Sequence, residues 1–127
     1  MSAEKIHGRC LCGNVSFVVA GPVSAPSICH CTQCRRQSGH VWASAQALAT
    51  GVAISGPVQW FAASETARRG FCPTCGSSLF WRHNEEETLS FSLGALEAPT
   101  GLRLEKHIFV ADKGDYYGLS DGLPQTP

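Results

Sequence analysis

Seven cysteines constrain this chain more than any other feature of its 127 residues. Cys29, Cys31 and Cys34 fall within six positions, as a CxC step followed by a CxxC step. In extended backbone alternate side chains share a face, so the sulfurs of Cys29 and Cys31 can point together. A tight turn lets Cys31 and Cys34 face one ion. Three sulfurs therefore converge on one metal and leave a tetrahedron incomplete. Structural zinc sites close all four positions, whereas catalytic ones keep one open. Cys10 and Cys12 form a second CxC and Cys72 and Cys75 a second CxxC, with 62 positions between Cys10 and Cys72. Two such pairs read as a closed four-thiolate zinc site tying distant parts of the chain together. A disulfide framework is the competing reading. The odd count, the tight CxC spacing and the lack of secretory context weigh against it.

At this length one domain is expected over residues 1–127, with a core over about 7–124 that needs no further staples. Ten basic and ten acidic side chains cancel. Seven thiolates holding two divalent ions would take that balance to −3. Neither figure is that of a nucleic-acid binder, which carries a clear basic excess. There is no apolar run long enough for a membrane span. Met1-Ser2-Ala3-Glu4-Lys5 is charged and has no apolar signal-peptide region, so a cytoplasmic setting with reduced thiols is expected.

Along the chain, His7 to Gly13 reads as a strand end entering a metal-bearing turn, with Gly13 relieving crowding beside the ion. Asn14 to Ala20 has β composition. Ser27 to Cys31 reads as a short strand delivering the trio, and Thr32 to Ser38 as a helical turn ended by Gly39. In Val41 to Ala49, Trp42, Ser44, Gln46 and Leu48 alternate with Val41, Ala43, Ala45 and Ala47, which favours a strand. Val52 to Ile54 and Val58 to Phe61 flank a Gly56-Pro57 turn. Thr66 to Phe71 runs into the Cys72-Pro73-Thr74-Cys75-Gly76 knuckle. Leu79 to Trp81, Thr88 to Leu93 and His107 to Val110 read as further strands, Ala95 to Ala98 as one helical turn, and the tail from Asp112 as irregular. Eight to ten short strands argue an all-β domain.

Gly8-x-Cys10-x-Cys12-Gly13, Cys29-His30-Cys31-x-x-Cys34-Arg35, Phe71-Cys72-x-x-Cys75-Gly76 and His107-Ile108-Phe109 stand in the order and spacing of the glutathione-dependent formaldehyde-activating enzyme (GFA) family, also called the CENP-V/GFA domain. The resemblance runs from Gly8 to Pro124. It implies an Mss4-like zinc-bound β-sheet fold of short antiparallel strands. It also implies a structural zinc on Cys10, Cys12, Cys72 and Cys75, and a catalytic zinc on Cys29, Cys31 and Cys34. The activity implied is that of an S-(hydroxymethyl)glutathione synthase, a carbon–sulfur lyase that joins glutathione, as co-substrate, to formaldehyde or a related small aldehyde.

Taken from the residues themselves, a zinc ion on the trio can hold a substrate thiol as thiolate, ready to attack an aldehyde carbon. Arg35 and Arg36 follow the trio directly and are the expected clamp for the carboxylates of glutathione; Arg68 and Arg69 are weaker candidates. Their alternative is a solvated basic turn. His30 should point away from Cys29 and Cys31, as a supporting residue. His40 and His107 are possible proton shuttles, or simply hydrogen-bonded histidines. Trp42, Trp60, Phe80 and Trp81 read as core, with room for one to wall a pocket. Two other readings stand beside the enzyme: a non-catalytic glutathione carrier, and a zinc-ribbon-like interaction module. Oligomeric state is not legible in the sequence.

Overall fold

The computed structural model describes residues 5–24 and 26–127. Among them the elements in chain order are β1 (Ile6–Arg9), β2 (Ser16–Val19), β3 (Ser27–Cys29), α1 (Thr32–Ser38), β4 (Trp42–Leu48), β5 (Val52–Ser55), β6 (Gln59–Ala62), β7 (Ala67–Phe71), β8 (Ser78–His83), β9 (Thr88–Ser92) and β10 (Lys106–Ile108). Three short 3-10 turns complete them. The strands form a three-stranded sheet, β1-β2-β5, and a seven-stranded sheet, β10-β3-β4-β9-β8-β7-β6. The fold is the all-β architecture expected from the strand pattern, with the Mss4-like form that the family resemblance implies. Neighbouring strands are antiparallel except β10, which lies parallel to β3.

The small sheet lies on one face of the large one. Phe17 and Val19 of β2 and Val52 of β5 meet Ala45 and Ala47 of β4, Phe80 of β8, and Leu89 and Phe91 of β9. The rings of Phe17 and Phe80 pack edge to face, 5.0 Å between centroids, the arrangement their quadrupoles favour. Period-two alternation decides which residues fill this core. In β4 it sends Ala45 and Ala47 inward and Trp42, Ser44 and Gln46 to the opposite face of the large sheet. In β9 it sends Leu89 and Phe91 inward and Ser90 to that opposite face.

The strands before and after Gly56-Pro57 do not form a hairpin. β5 pairs with β2, and β6 pairs with β7 at the edge of the other sheet. Gly56 has φ 102° and lies so close to Asn14 that a Cβ would sit 2.0 Å from the Asn14 carbonyl oxygen. Only glycine suits that crossing between sheets. The helical turn expected at Ala95 to Ala98 lies earlier, at Leu93–Ala95, and Leu96 bridges to Gly8. The last strand ends at Ile108. Phe109 has φ 56° and Val110–Asp112 forms a 3-10 turn, because a left-handed residue breaks the pleat.

Candidate metal and thiol site

All seven cysteines are free thiols, so the disulfide reading is set aside. They gather into two groups, Cys10, Cys12, Cys72 and Cys75 in one and Cys29, Cys31 and Cys34 in the other, the sulfurs of each group lying within 4.8 Å of one another.

The group of four joins the β1–β2 turn to the β7–β8 turn. Cys10 Sγ lies 3.6 Å from Cys12 Sγ, and Cys12 Sγ lies 3.7 Å from Cys72 Sγ. Thiolates about 2.3 Å from one tetrahedral ion stand about 3.8 Å apart, so the spacing suits zinc. Backbone amides support it: Val15 N–H donates to Cys10 Sγ at 3.2 Å. Gly13 and Gly76 both adopt positive φ, 85° and 81°. No neighbour other than an Arg9 nitrogen at 3.8 Å approaches the place of a Gly13 Cβ. The left-handed turn therefore demands glycine there, not crowding. The four sulfurs share charge unevenly. The Ser77 hydroxyl, followed by backbone N–H groups, holds Cys75 down at about 5. The Asn14 amide favours the Cys12 thiolate, but burial and the sulfurs of Cys10, Cys72 and Cys75 outweigh it and push Cys12 up to about 12. Four clustered sulfurs cannot all be anionic without a positive ion among them.

The group of three is local. β3 ends at Cys29, Cys31 caps the N-terminus of α1, and Cys34 lies in its first turn. The cap is the sulfur itself, which accepts from Cys34 N–H at 3.4 Å. The helix closes at Gly39, whose N–H bonds Arg35 O at 2.8 Å. The Cys29 sulfur, opposed by burial and helped by the Arg69 guanidinium, holds Cys34 down at about 6. The Cys34 sulfur and burial push Cys29 up. Three sulfurs that share charge in this way fit a divalent ion with a fourth position left for another ligand.

Cys29, Cys31 and Cys34 line a cavity of about 670 Å³ on the open face of the large sheet, a size typical of small-molecule sites. Its floor is laid by side chains from successive strands: Ser27, Ser44, Gln46 and Ser90. Small hydroxyl residues there leave room and offer hydrogen bonds. Trp42 and Trp81 flank the sulfurs, with Ile108 beside them. Lys106 and Asp112 bring one charge of each sign to the wall.

The expected carboxylate clamp is not at this wall. Arg35 and Arg36 are outside the cavity lining, in the last turn of α1, where cations suit the helix dipole. The arginine that reaches the trio is Arg69 of β7, whose Nη2 donates to Cys34 Sγ at 3.5 Å. Arg68 instead lies over Trp60, 5.2 Å from its ring centroid.

His30 is 1% exposed and turns away from the cavity, as alternation requires. It belongs to a hydrogen-bonded chain that is not legible in the sequence. His107 Nε2 lies 2.8 Å from Asp121 Oδ2, His107 Nδ1 lies 2.9 Å from His30 Nε2, and His30 Nδ1 meets the Tyr117 hydroxyl. Burial, followed by the neighbouring His107, His40 and Lys113, pushes His30 below the usual imidazole value. His40 is exposed and bonds Tyr116 at 2.7 Å. None of these three histidines lines the cavity.

A two-sheet β domain with one closed cysteine cluster and one open cluster facing a cavity is the class that fold and site define. Comparison with known proteins makes it specific. The family model described as glutathione-dependent formaldehyde-activating enzyme matches residues 5–112, and the chain belongs to that family. It is similar to an uncharacterized lyase of Schizosaccharomyces pombe, 24% identical over 122 residues, covering 91% of this chain and 85% of that protein. It is also similar to a Rhodobacter sphaeroides protein of known crystal structure, with TM-score 0.61 and 26% identity over 72% of this chain and 88% of the other.

Proposed function

We propose that this protein is a zinc-dependent carbon–sulfur lyase that joins glutathione to formaldehyde or a related small electrophile, working from the three-cysteine site. The observation that carries the reading is a cluster of three sulfurs, one short of a tetrahedral set, lining a cavity large enough for a tripeptide thiol. Family membership and the lyase name of the yeast relative support it. Zinc on Cys29, Cys31 and Cys34 would keep a bound thiol as thiolate near neutral pH.

The chain's own residues supply binding and orientation. Trp42 and Trp81 exclude water around the sulfurs, which strengthens every charge interaction there. The hydroxyls of Ser27, Ser44 and Ser90 and the amide of Gln46 match peptide groups along the floor. Lys106 and Asp112 suit a carboxylate and an ammonium of the γ-glutamyl end. The overall reaction moves no net proton: the thiol loses one and the hydroxyl formed from the aldehyde oxygen gains one. Solvent at the cavity mouth can carry that exchange. The other cluster, Cys10, Cys12, Cys72 and Cys75, takes a structural zinc in this reading. Reduced thiols suit the cytoplasm.

The test is NMR exchange between formaldehyde hydrate and S-(hydroxymethyl)glutathione. Zinc-loaded protein should quicken it, and Cys31→Ala should not. Binding of glutathione without faster exchange would make the protein a carrier instead.

A further inference from the structure

The cavity wall contains a buried cation, Arg69, with no carboxylate within 4.0 Å among the described residues. Arg69 is 5% exposed. Its Nε and Nη2 donate to Gln33 Oε1 at 3.3 Å each, Nη1 donates to Gln37 Oε1 at 3.0 Å, and Nη2 donates to Cys34 Sγ at 3.5 Å. The guanidinium lies 5.8 Å from the centroid of Trp42. Among the described residues the ion pair within 4.0 Å is His107–Asp121, and Arg69 has none. Amide oxygens satisfy its N–H groups but do not neutralise it, and a buried unpaired charge is costly. The trio's sulfur within its reach is that of Cys34.

We propose that Arg69 is the fixed counter-ion of the three-cysteine site, a positioning residue that offsets the charge of Cys29, Cys31 and Cys34 as thiolates and favours an anionic sulfur at their fourth position. Three thiolates on a divalent ion carry a net −1, and a fourth thiolate makes it −2. A cation held at the sulfurs favours both states.

The geometry of the clamp fits this role. Gln33 and Gln37 stand one helical turn apart on α1, the helix that also carries Cys34, so helix and guanidinium form one unit. On the other side β7 leads through Phe71 straight into Cys72, so the closed cluster anchors the strand that presents Arg69. Four of the five guanidinium N–H groups are engaged, which leaves little with which to grip a substrate carboxylate. Lysine would keep the charge but not the fork.

The proposal rests on reading the trio as a thiol-binding metal site, so its test uses probes that separate the two. The trio is loaded with Co²⁺, and its sulfur-to-metal absorption reports metal affinity and binding of 2-mercaptoethanol, a thiol without carboxylates. Arg69→Gln should weaken both by about tenfold or more. Gln37→Glu, an exposed change that gives the guanidinium a competing carboxylate, should weaken both by a smaller factor and serves if Arg69→Gln does not fold. If Arg69→Gln lowers glutathione affinity but leaves mercaptoethanol and metal affinity unchanged, Arg69 is a carboxylate clamp and the proposal is wrong. Unchanged metal and mercaptoethanol affinity in Gln37→Glu overturns it too. If wild type fails to bind glutathione while both variants still shift metal and mercaptoethanol affinity, the glutathione reading fails and the counter-ion stands.

Discussion

Cys10 and Cys12 lie between β1 and β2, and Cys72 and Cys75 between β7 and β8, so the four-cysteine cluster fastens the small sheet to the large one across 62 positions of chain. Cys29, Cys31 and Cys34 span one strand end and one helical turn that pairing with β4 and β10 already holds. The ligand is the same and the reach differs. Without its sulfurs the first junction keeps two side-chain bonds, Leu11 N–H to Ser77 Oγ at 3.0 Å and Asn14 Nδ2 to Thr74 Oγ1 at 3.2 Å, both exposed. The second lies in the seven-stranded sheet and keeps its backbone ladder. A cluster that closes a long loop stabilises the fold, whereas a local one is free to do chemistry.

The sharpest break of this comparison is a pair of alanine variants. Cys72→Ala should unfold or aggregate the protein, since structural zinc contributes on the order of 10 kcal/mol of apparent binding energy to folding. Cys31→Ala should melt near wild type. Circular dichroism melting of both decides it, and equal loss of structure would make the trio structural too.

Next in size is thiol binding. Reduced glutathione should bind with its sulfur at the trio's fourth position and release close to one proton at pH 7, because a free thiol titrates near 8.5. Calorimetry in buffers of different ionisation enthalpy counts that proton. Cys31→Ala should abolish binding. S-methylglutathione binding as tightly as the free thiol would rule out sulfur ligation.

A milder contrast lies in lability. Protein purified without chelators should hold two zinc ions. A mild chelator should empty the trio first and expose Cys29, Cys31 and Cys34 to alkylation while the other four stay protected. Simultaneous loss from both clusters would erase the distinction.

Much of this was legible because it is local. The cysteine spacings gave both clusters, and alternation in Thr88 to Leu93 gave β9 and its buried face. What escaped depends on which strands become neighbours. Ser27, Ser44, Gln46 and Ser90 look like solvated positions one strand at a time and make a cavity floor only when β3, β4 and β9 stand side by side. Nearness to Cys34 in sequence is what favours Arg35 and Arg36. The cavity lining takes Gln33 and Cys34 from α1 and leaves both arginines out. The arginine in that lining comes from β7, 35 positions away. Tyr117 reaches His30 across 87 positions from a tail that reads as irregular.

That tail supplies the smallest test, because it is tied to the trio's segment through hydrogen bonds rather than metal. The carboxylate of Asp121 can only accept, so His107 Nε2–H donates to it, His30 Nε2–H donates to His107 Nδ1, and the Tyr117 hydroxyl donates to His30 Nδ1. Leu123 N–H, with His107 second, holds the Asp121 carboxyl below its usual range. A carboxyl depressed by folding contributes stability that is present above its unfolded value, about 3.9, and is lost as pH falls through the lower folded value. Asp121→Asn still offers an oxygen to His107 but has no charge to lose. The variant should therefore melt below wild type at pH 7, by on the order of a few degrees. The gap should narrow as pH falls below about 3.9. Protons compete for the thiolates in both proteins, so the readout is the difference between the two melting curves at each pH. The carboxyl ¹³C shift of Asp121 gives a second readout, and it should stay that of a carboxylate at pH 4. A gap that does not change with pH, or an Asp121 midpoint at or above the ordinary value, would reduce the tail to packing alone.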